Sequence, residues 1–340
     1  MRGEVDGERA GSGGGAEGAA GGTVGGGGAA PGIAAPGFRL SAGTRPGRVR
    51  LQVSDLERSF RWYREVLGLA LLDEGEGRAA LGAPGGVEPL IELLERPGAR
   101  PVPPRGHLGL FHLAILLPAR HHLGRFAAHL VEREERVGAS DHLVSEAFYL
   151  HDPDGLGIEV YADRPRSAWR ARGREIIMAT QPLDLDALLR SGEGGRWAGA
   201  PEGTVVGHLH LRVGGLDGAE AFYHRALGLD KVVWSYPGAL FMSAGGYHHH
   251  LGVNRWAGPV PPAAEDEARL LEWELVAPAS DLDLDQLATS LEQAGAPVET
   301  GGPGGNGPGE GGLAGEPAAA DPHLLTRDPW GTALRVRVTG

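Results

Sequence analysis

A motif that recurs along the chain constrains its fold more than any single residue does. Residues 49–69 read VRLQVSDLERSFRWYREVLGL, and residues 209–229 read LHLRVGGLDGAEAFYHRALGL. Tyr63 aligns with Tyr223, Leu67 with Leu227 and Gly68 with Gly228 at one constant offset. A chain that repeats itself at this scale folds as repeated units rather than one irregular core. Each copy opens with alternating apolar residues, the pattern of a half-buried strand. Asp55 or Gly215 follows, then apolar residues at helical spacing (Leu56, Phe60, Tyr63, Leu67 in the first copy). Gly68 and Gly228 stand where a helix stop belongs.

Two fainter copies interleave with these. LFHLAILLP at 110–118 reads as a strand, HHLGRFAAHLVERE as an amphipathic helix, and EAFYLHDPDGLGIEVYADRP as strand, turn, strand. ARLLEWELVAP, a helix near 281–294, and LLTRDPWGTALRVRV repeat that order near the C-terminus. The turns Asp152–Gly155 and Asp328–Gly331 hold the same place in copies two and four, and suit Asp and Gly for backbone reasons alone. The order strand, helix, strand meander therefore occurs four times. The expected fold class is α+β: tandem βαβββ modules, paired into two domains of curled mixed sheets.

Composition sets the borders of those domains. The 58 glycines concentrate in residues 1–44 and 301–317. A glycine-rich stretch without large apolar side chains does not offset the entropy of ordering its backbone. The sequence thus predicts a disordered tail over 1–44, domains over 45–165 and 201–340, a linker over 166–200, and a flexible insertion at 301–317. The N-terminus lacks the apolar run of a secretory signal, and no stretch approaches the ~20 apolar residues of a membrane span. The expected location is the cytoplasm, with no membrane partner. Cysteine is absent, so any metal must be held by imidazoles and carboxylates. A net charge of −12 argues against nucleic acid as a partner.

The pattern VSDLERSFRWYREVLGL followed by a meander and a closing DPDGLGIEVY resembles the vicinal-oxygen-chelate superfamily of glyoxalases, bleomycin-resistance proteins and extradiol dioxygenases. The tandem arrangement is similar to that of bacterial two-domain catechol-2,3-dioxygenases. HLVSEAFYLHDPDGLGIEVYADRPRSAW, VVGHLHLRV and SAGGYHHHLGVNRWAG carry the likeness most closely, and it extends over about residues 45–340. In that superfamily two units enclose one divalent metal, with ligands from slots in the first and last strand of each unit. Here the slots read His112 and Glu159 in unit two, and His208 in unit three, with His250 expected opposite Glu159. In unit one the opening slot falls on Arg48; in unit four the slots fall on Glu272 and Arg335.

Extradiol enzymes generally draw two His and one Glu from the C-terminal domain alone. Arg335 stands where that Glu belongs, and a guanidinium does not ligate a metal. The resemblance therefore implies a ligand set of His112, Glu159 and His208, from units two and three paired within the chain or across a homodimer. Two imidazoles, one carboxylate and open positions form the face used by non-heme Fe(II) oxygenases, with Mn(II) as the alternative ion. The implied substrates are a catechol and O2, and the implied process is aromatic-compound catabolism. His248 and His250, on one face of an expected strand, are the acid/base candidates, His250 preferred; His is suited to both roles near neutral pH. Tyr247 and Trp256 are expected to line an aromatic pocket, and His142 to support a ligand from behind. His210 shares a strand face with His208 and competes with it.

Two other readings share the fold. A glyoxalase-like isomerase or lyase would use four protein ligands, His250 among them. A non-catalytic binding protein would use the cavity without turnover.

Overall fold

The structure, a computed structural model, describes residues 31–302 and 321–340. Residues 1–30 and most of the glycine-rich insertion lie outside the described residues.

Four units of the expected order are present. Unit one has an opening strand Arg45–Val53, helix Leu56–Glu65, and a meander ending in the closing strand Ile91–Glu95. Unit two opens with Gly109–Leu116, continues through helix Arg120–Glu132, and closes with Gly157–Asp163. Unit three runs from Val205–Arg212 through helix Leu216–Ala219, which widens into π-helical turns over Glu220–Ala226, to Leu251–Asn254. Unit four runs from Arg269–Pro278 through helix Leu284–Gln293 to Ala333–Thr339. Local chemistry sets the helix starts. The Asp55 carboxylate accepts from the Arg58 amide, and Asp283 caps the last helix through the amides of Asp285 and Gln286. Such a cap contributes about 1 kcal/mol.

The units pair inside out. One eight-stranded sheet joins units two and three, with Gly109–Leu116 and Val205–Arg212 antiparallel at its centre. The other joins units one and four through Arg45–Val53 and Arg269–Pro278. In each sheet the closing strands lie parallel to the openers on either side. Strand alternation then sorts the side chains. Val49, Leu51, Leu113, Ile115, Leu209, Leu211, Trp273 and Leu275 enter one shared apolar core. The alternate residues face the concave side of each sheet, where the slots lie.

Register shifts in the central pair of the first sheet leave Phe111 and Gly207 without opposed partners. These bulges re-aim the neighbouring His112 and His208. Gly207 is required at its bulge: a Cβ there would lie 1.9 Å from the Tyr161 hydroxyl oxygen. Within the stretch read as a tail, Ile33 bridges Lys231, Leu40 is buried, and Arg39 forks onto Asp230. The linker is also structured. Its hairpin of Ala171–Arg172 and Glu175–Ile176 precedes residues that reach both edges of the first sheet. Gln181 bridges Asp141 on one side, and Thr180 bonds the Tyr236 hydroxyl on the other. Among the described residues no helix is long and apolar enough to cross a membrane.

Candidate metal centre

His112, Glu159 and His208 converge inside the first sheet, each at least nine-tenths buried. One nitrogen or oxygen from each lies within 4.8 Å of the others. The Glu159 Oε2 is 3.0 Å from His112 Nε2 and 3.2 Å from His208 Nε2. Ligand atoms at right angles on bonds of about 2.1 Å sit about 3 Å apart. The His112 contact lacks the alignment of a hydrogen bond, leaving its buried Nε2 without one, and His208 Nδ1 is likewise unbonded. Buried nitrogens left in this way are costly in a purely structural cluster. A cation between the three groups removes that cost at His112. Burial pushes His208 down to about 4, so its ring is neutral and offers a lone pair. Burial alone would raise the Glu159 carboxyl, but the His208 and His112 rings beside it hold it well below its ordinary value. Neutral imidazole beside ionised carboxylate is what a divalent cation requires. The residues present fit the group.

The parallel register corrects one slot. Glu159 pairs with Ala114, two residues beyond His112, whereas His210 pairs with Gly252, two residues beyond His208. Gly252 therefore fills the closing slot of unit three, and His250 lies two residues earlier. A Cβ at Gly252 would approach the His210 ring to 3.0 Å, so that ring occupies the space the fourth slot would have used. Asn254 Nδ2 donates to His210 Nε2 at 3.0 Å, which ties the ring down.

The histidine triplet lies in a bend between strands Ala239–Ser243 and Leu251–Asn254, not on a strand. Successive glycines at positive φ, Gly245 and Gly246, turn the chain there, so the alternation expected for His248 and His250 does not apply. His250 stacks on Tyr247, and its Nδ1 accepts from the Ala244 amide; burial pushes it down to about 3. His248 Nε2 meets Asp163 at 2.8 Å. His249, not singled out from the sequence, packs its ring 4.0 Å from that of His208. It was hidden because a strand pattern would have turned it away from its neighbours. Trp256 does stand by the site, 5.4 Å from His210, with Phe111, Tyr236 and Phe241 in the same aromatic wall. Tyr247 lies farther back, between Trp169 and His250. His142 reaches the site through Tyr149, whose hydroxyl it meets at 2.5 Å and whose ring is 5.5 Å from His112.

The second sheet carries the same slots with other contents. Arg335 pairs with Glu274, two beyond Glu272, and Glu92 pairs with Arg50, two beyond Arg48. Its four slots are thus Arg48, Glu92, Glu272 and Arg335; Glu92 had gone unnoticed in the sequence. Arg335 forks onto Glu272 at 2.9 and 3.1 Å. Arg48 contacts both Glu92 and Glu274, and Arg50 adds a further contact to Glu92.

Comparison with known proteins agrees with this fold. The profile of the Glyoxalase/Bleomycin resistance protein/Dioxygenase superfamily matches residues 45–160. A catechol-2,3-dioxygenase of Bacillus subtilis (strain 168) is 43% identical over 259 residues, covering 75% of this chain and 90% of the relative. A solved structure from Bacillus subtilis subsp. subtilis str. 168 superposes with a TM-score of 0.59 at 14% identity, covering 88% and 86% of the two chains. A glyoxalase I variant from Zea mays gives 0.51 at 16% identity, with 87% and 94% covered; at such identities these two show the fold alone. Four βαβββ units, a buried His–Glu–His cluster and a close relative along most of the chain lead to one assignment: the chain belongs to the glyoxalase/bleomycin resistance protein/dioxygenase superfamily.

Proposed function

We propose that this protein is an extradiol dioxygenase that opens the ring of catechol or a substituted catechol with O2, using Fe(II) held by His112, Glu159 and His208. The observation that carries this reading is the convergence of those three side chains in a buried, aromatic-walled cup. The catechol-2,3-dioxygenase relative, at 43% identity, supplies the reaction class. A metal so held supplies a chelating site for both diol oxygens and a path for electron density from ring to O2.

The chain's own residues do the rest. Phe111, Tyr236, Phe241 and Trp256 offer ring faces and edges to a flat aromatic substrate. The linker reaches both edges of the sheet. His249, whose Nδ1 is engaged by His248 at 2.8 Å, has no partner on Nε2 among the described residues. It is the ring best placed to take a catechol proton. Burial holds it well below the ordinary histidine value, so it enters the reaction neutral. Both ligating units belong to one chain, so the centre is complete without a partner subunit.

Gly252 bears on the glyoxalase-like alternative. That chemistry prefers a fourth protein ligand, and the fourth slot here has no side chain. Three ligands leave positions open for a diol and O2. The test is oxygen uptake by anaerobically Fe(II)-loaded protein given catechol, with the spectrum recorded for a yellow ring-opened product. Uptake matching product in equal amounts is expected. No uptake with catechol and several alkyl- and halo-catechols, iron being confirmed bound, would overturn the proposal.

A further inference from the structure

Behind His249 a line of hydrogen bonds runs out of the cup. His249 Nδ1 and His248 Nδ1 are 2.8 Å apart. His248 Nε2 and Asp163 Oδ1 are 2.8 Å apart. The His248 side chain is fully buried, whereas that of Asp163 is 26% exposed. The Tyr247 hydroxyl donates to the same carboxylate oxygen at 3.1 Å, and shares a 2.8 Å bond with the Tyr161 hydroxyl.

We infer that Asp163 and His248 are positioning residues that fix the tautomer of His249 and thereby leave its Nε2 bare toward the substrate. A carboxylate only accepts, so the proton between Asp163 and His248 belongs to His248 Nε2. In a neutral ring that one proton leaves His248 Nδ1 as an acceptor. The proton between the two rings must then sit on His249 Nδ1, and His249 Nε2 keeps its lone pair. The other tautomer of His249 would set two lone pairs against each other at 2.8 Å. When a catechol O–H bond breaks, its proton forms an N–H bond at Nε2. The imidazolium so made shares its Nδ1 proton with His248, and the Asp163 carboxylate balances the charge through that ring. This arrangement orients a base through a second group, as a buried carboxylate does for a histidine elsewhere in enzyme chemistry. It rests on the ring-cleavage reading only for the identity of the substrate; the tautomer itself does not depend on it.

The substitution Asp163→Asn is the sharpest probe. An asparagine can turn its amide to donate to His248 Nε2, which reverses every proton in the line and blocks His249 Nε2. Nitrogen-15 spectra of the histidine side chains, recorded on metal-free full-length protein, read the tautomers directly. The wild type is expected to show His249 protonated at Nδ1, and Asp163→Asn to shift the proton to Nε2. In Fe(II)-loaded protein kcat should fall roughly 100-fold or more, in the range that acid–base assistance supplies. KM and bound iron should change little. Asp163→Glu should recover part of kcat, and His248→Gln, which cuts the line elsewhere, should fall as Asp163→Asn does. A wild-type His249 protonated at Nε2 overturns the inference. So does an Asp163→Asn variant with unaltered tautomers and kcat within about twofold of wild type. If the wild type cleaves no catechol, ring cleavage fails, while the tautomer spectra still decide the inference.

Discussion

The two sheets are built to one plan, and their concave faces do opposite things with it. The matching slots hold His112, Glu159, His208 and Gly252 in one sheet, and Glu272, Arg335, Arg48 and Glu92 in the other. In the first, one carboxylate lies between two imidazoles with two ring nitrogens left unbonded. In the second, guanidinium forks satisfy carboxylates within the protein. Backbone geometry therefore supplies a place for four converging side chains, and residue identity alone decides what converges there. Guanidinium–carboxylate pairs close such a place by matching their own donors and acceptors. Imidazole and carboxylate instead bring together neutral nitrogen and anionic oxygen donors, the set that a divalent cation takes.

The widest separation between the sheets is expected in metal content. Replacing His208 or His112 with Ala removes a donor, so metal affinity should fall by more than the 10–100-fold typical of losing an outer-shell partner. Arg335→Ala should leave metal content near that of the wild type. Metal per chain after dialysis against limiting Fe(II) or Mn(II) checks both. If Arg335→Ala loses its metal while His208→Ala keeps it, the assignment of roles to the two sheets is reversed.

Stability should separate them in the other direction. Arg335→Met leaves Glu272 buried without its counter-charge, which costs about 3–5 kcal/mol. The double variant Arg335→Met with Glu272→Leu exchanges the pair for apolar groups and should recover most of that loss. Urea unfolding of the two variants and the wild type measures it. A double variant as unstable as the single one would mean that the guanidinium network, rather than the one pair, holds the sheet.

How much of this was legible in the sequence follows from which interactions are local. Helix caps such as Asp55, the turns at Asp152 and Asp328, and the strand alternation around Val49 and Leu51 act within a few residues, so the four units could be read directly. Arg335 and Arg48 showed which slots lack a metal ligand, and thus that units two and three hold the candidate centre. Residue register could not be read the same way. The bulges at Phe111 and Gly207 and the bend around Gly245 and Gly246 change which way a side chain faces. That placed His250 where Gly252 stands and concealed His249. Glu92 was missed because it matters only through Arg48 and Arg50, which meet it across a strand pairing. Asp163 was missed because its partner lies 85 residues away.

The smallest expected effects concern contacts that join units in chain order, across the inside-out sheet pairing. The Tyr63 hydroxyl, on the helix of unit one, donates to Asp152 in the closing turn of unit two at 3.2 Å. Tyr223 repeats this for units three and four, donating to Asp328 at 2.7 Å. Burial pushes Asp152 up to about 7, and raises Asp328 as well. A carboxyl raised in the folded state stabilises the fold fully below its unfolded value near 4. For Asp152 that contribution is lost as pH climbs through about 7. The tyrosine bond works against this loss, because it favours the ionised form. Tyr63→Phe should therefore cost about 1 kcal/mol at pH 5, where Asp152 is protonated and the bond is neutral. At pH 8, where the bond is to a charge, the cost should approach 2 kcal/mol. Denaturant unfolding at both pH values measures the difference, and Tyr223→Phe tests whether the second contact behaves alike. A cost that does not grow with pH would show that Asp152 is ionised throughout, with its two backbone donors and Tyr63 outweighing burial.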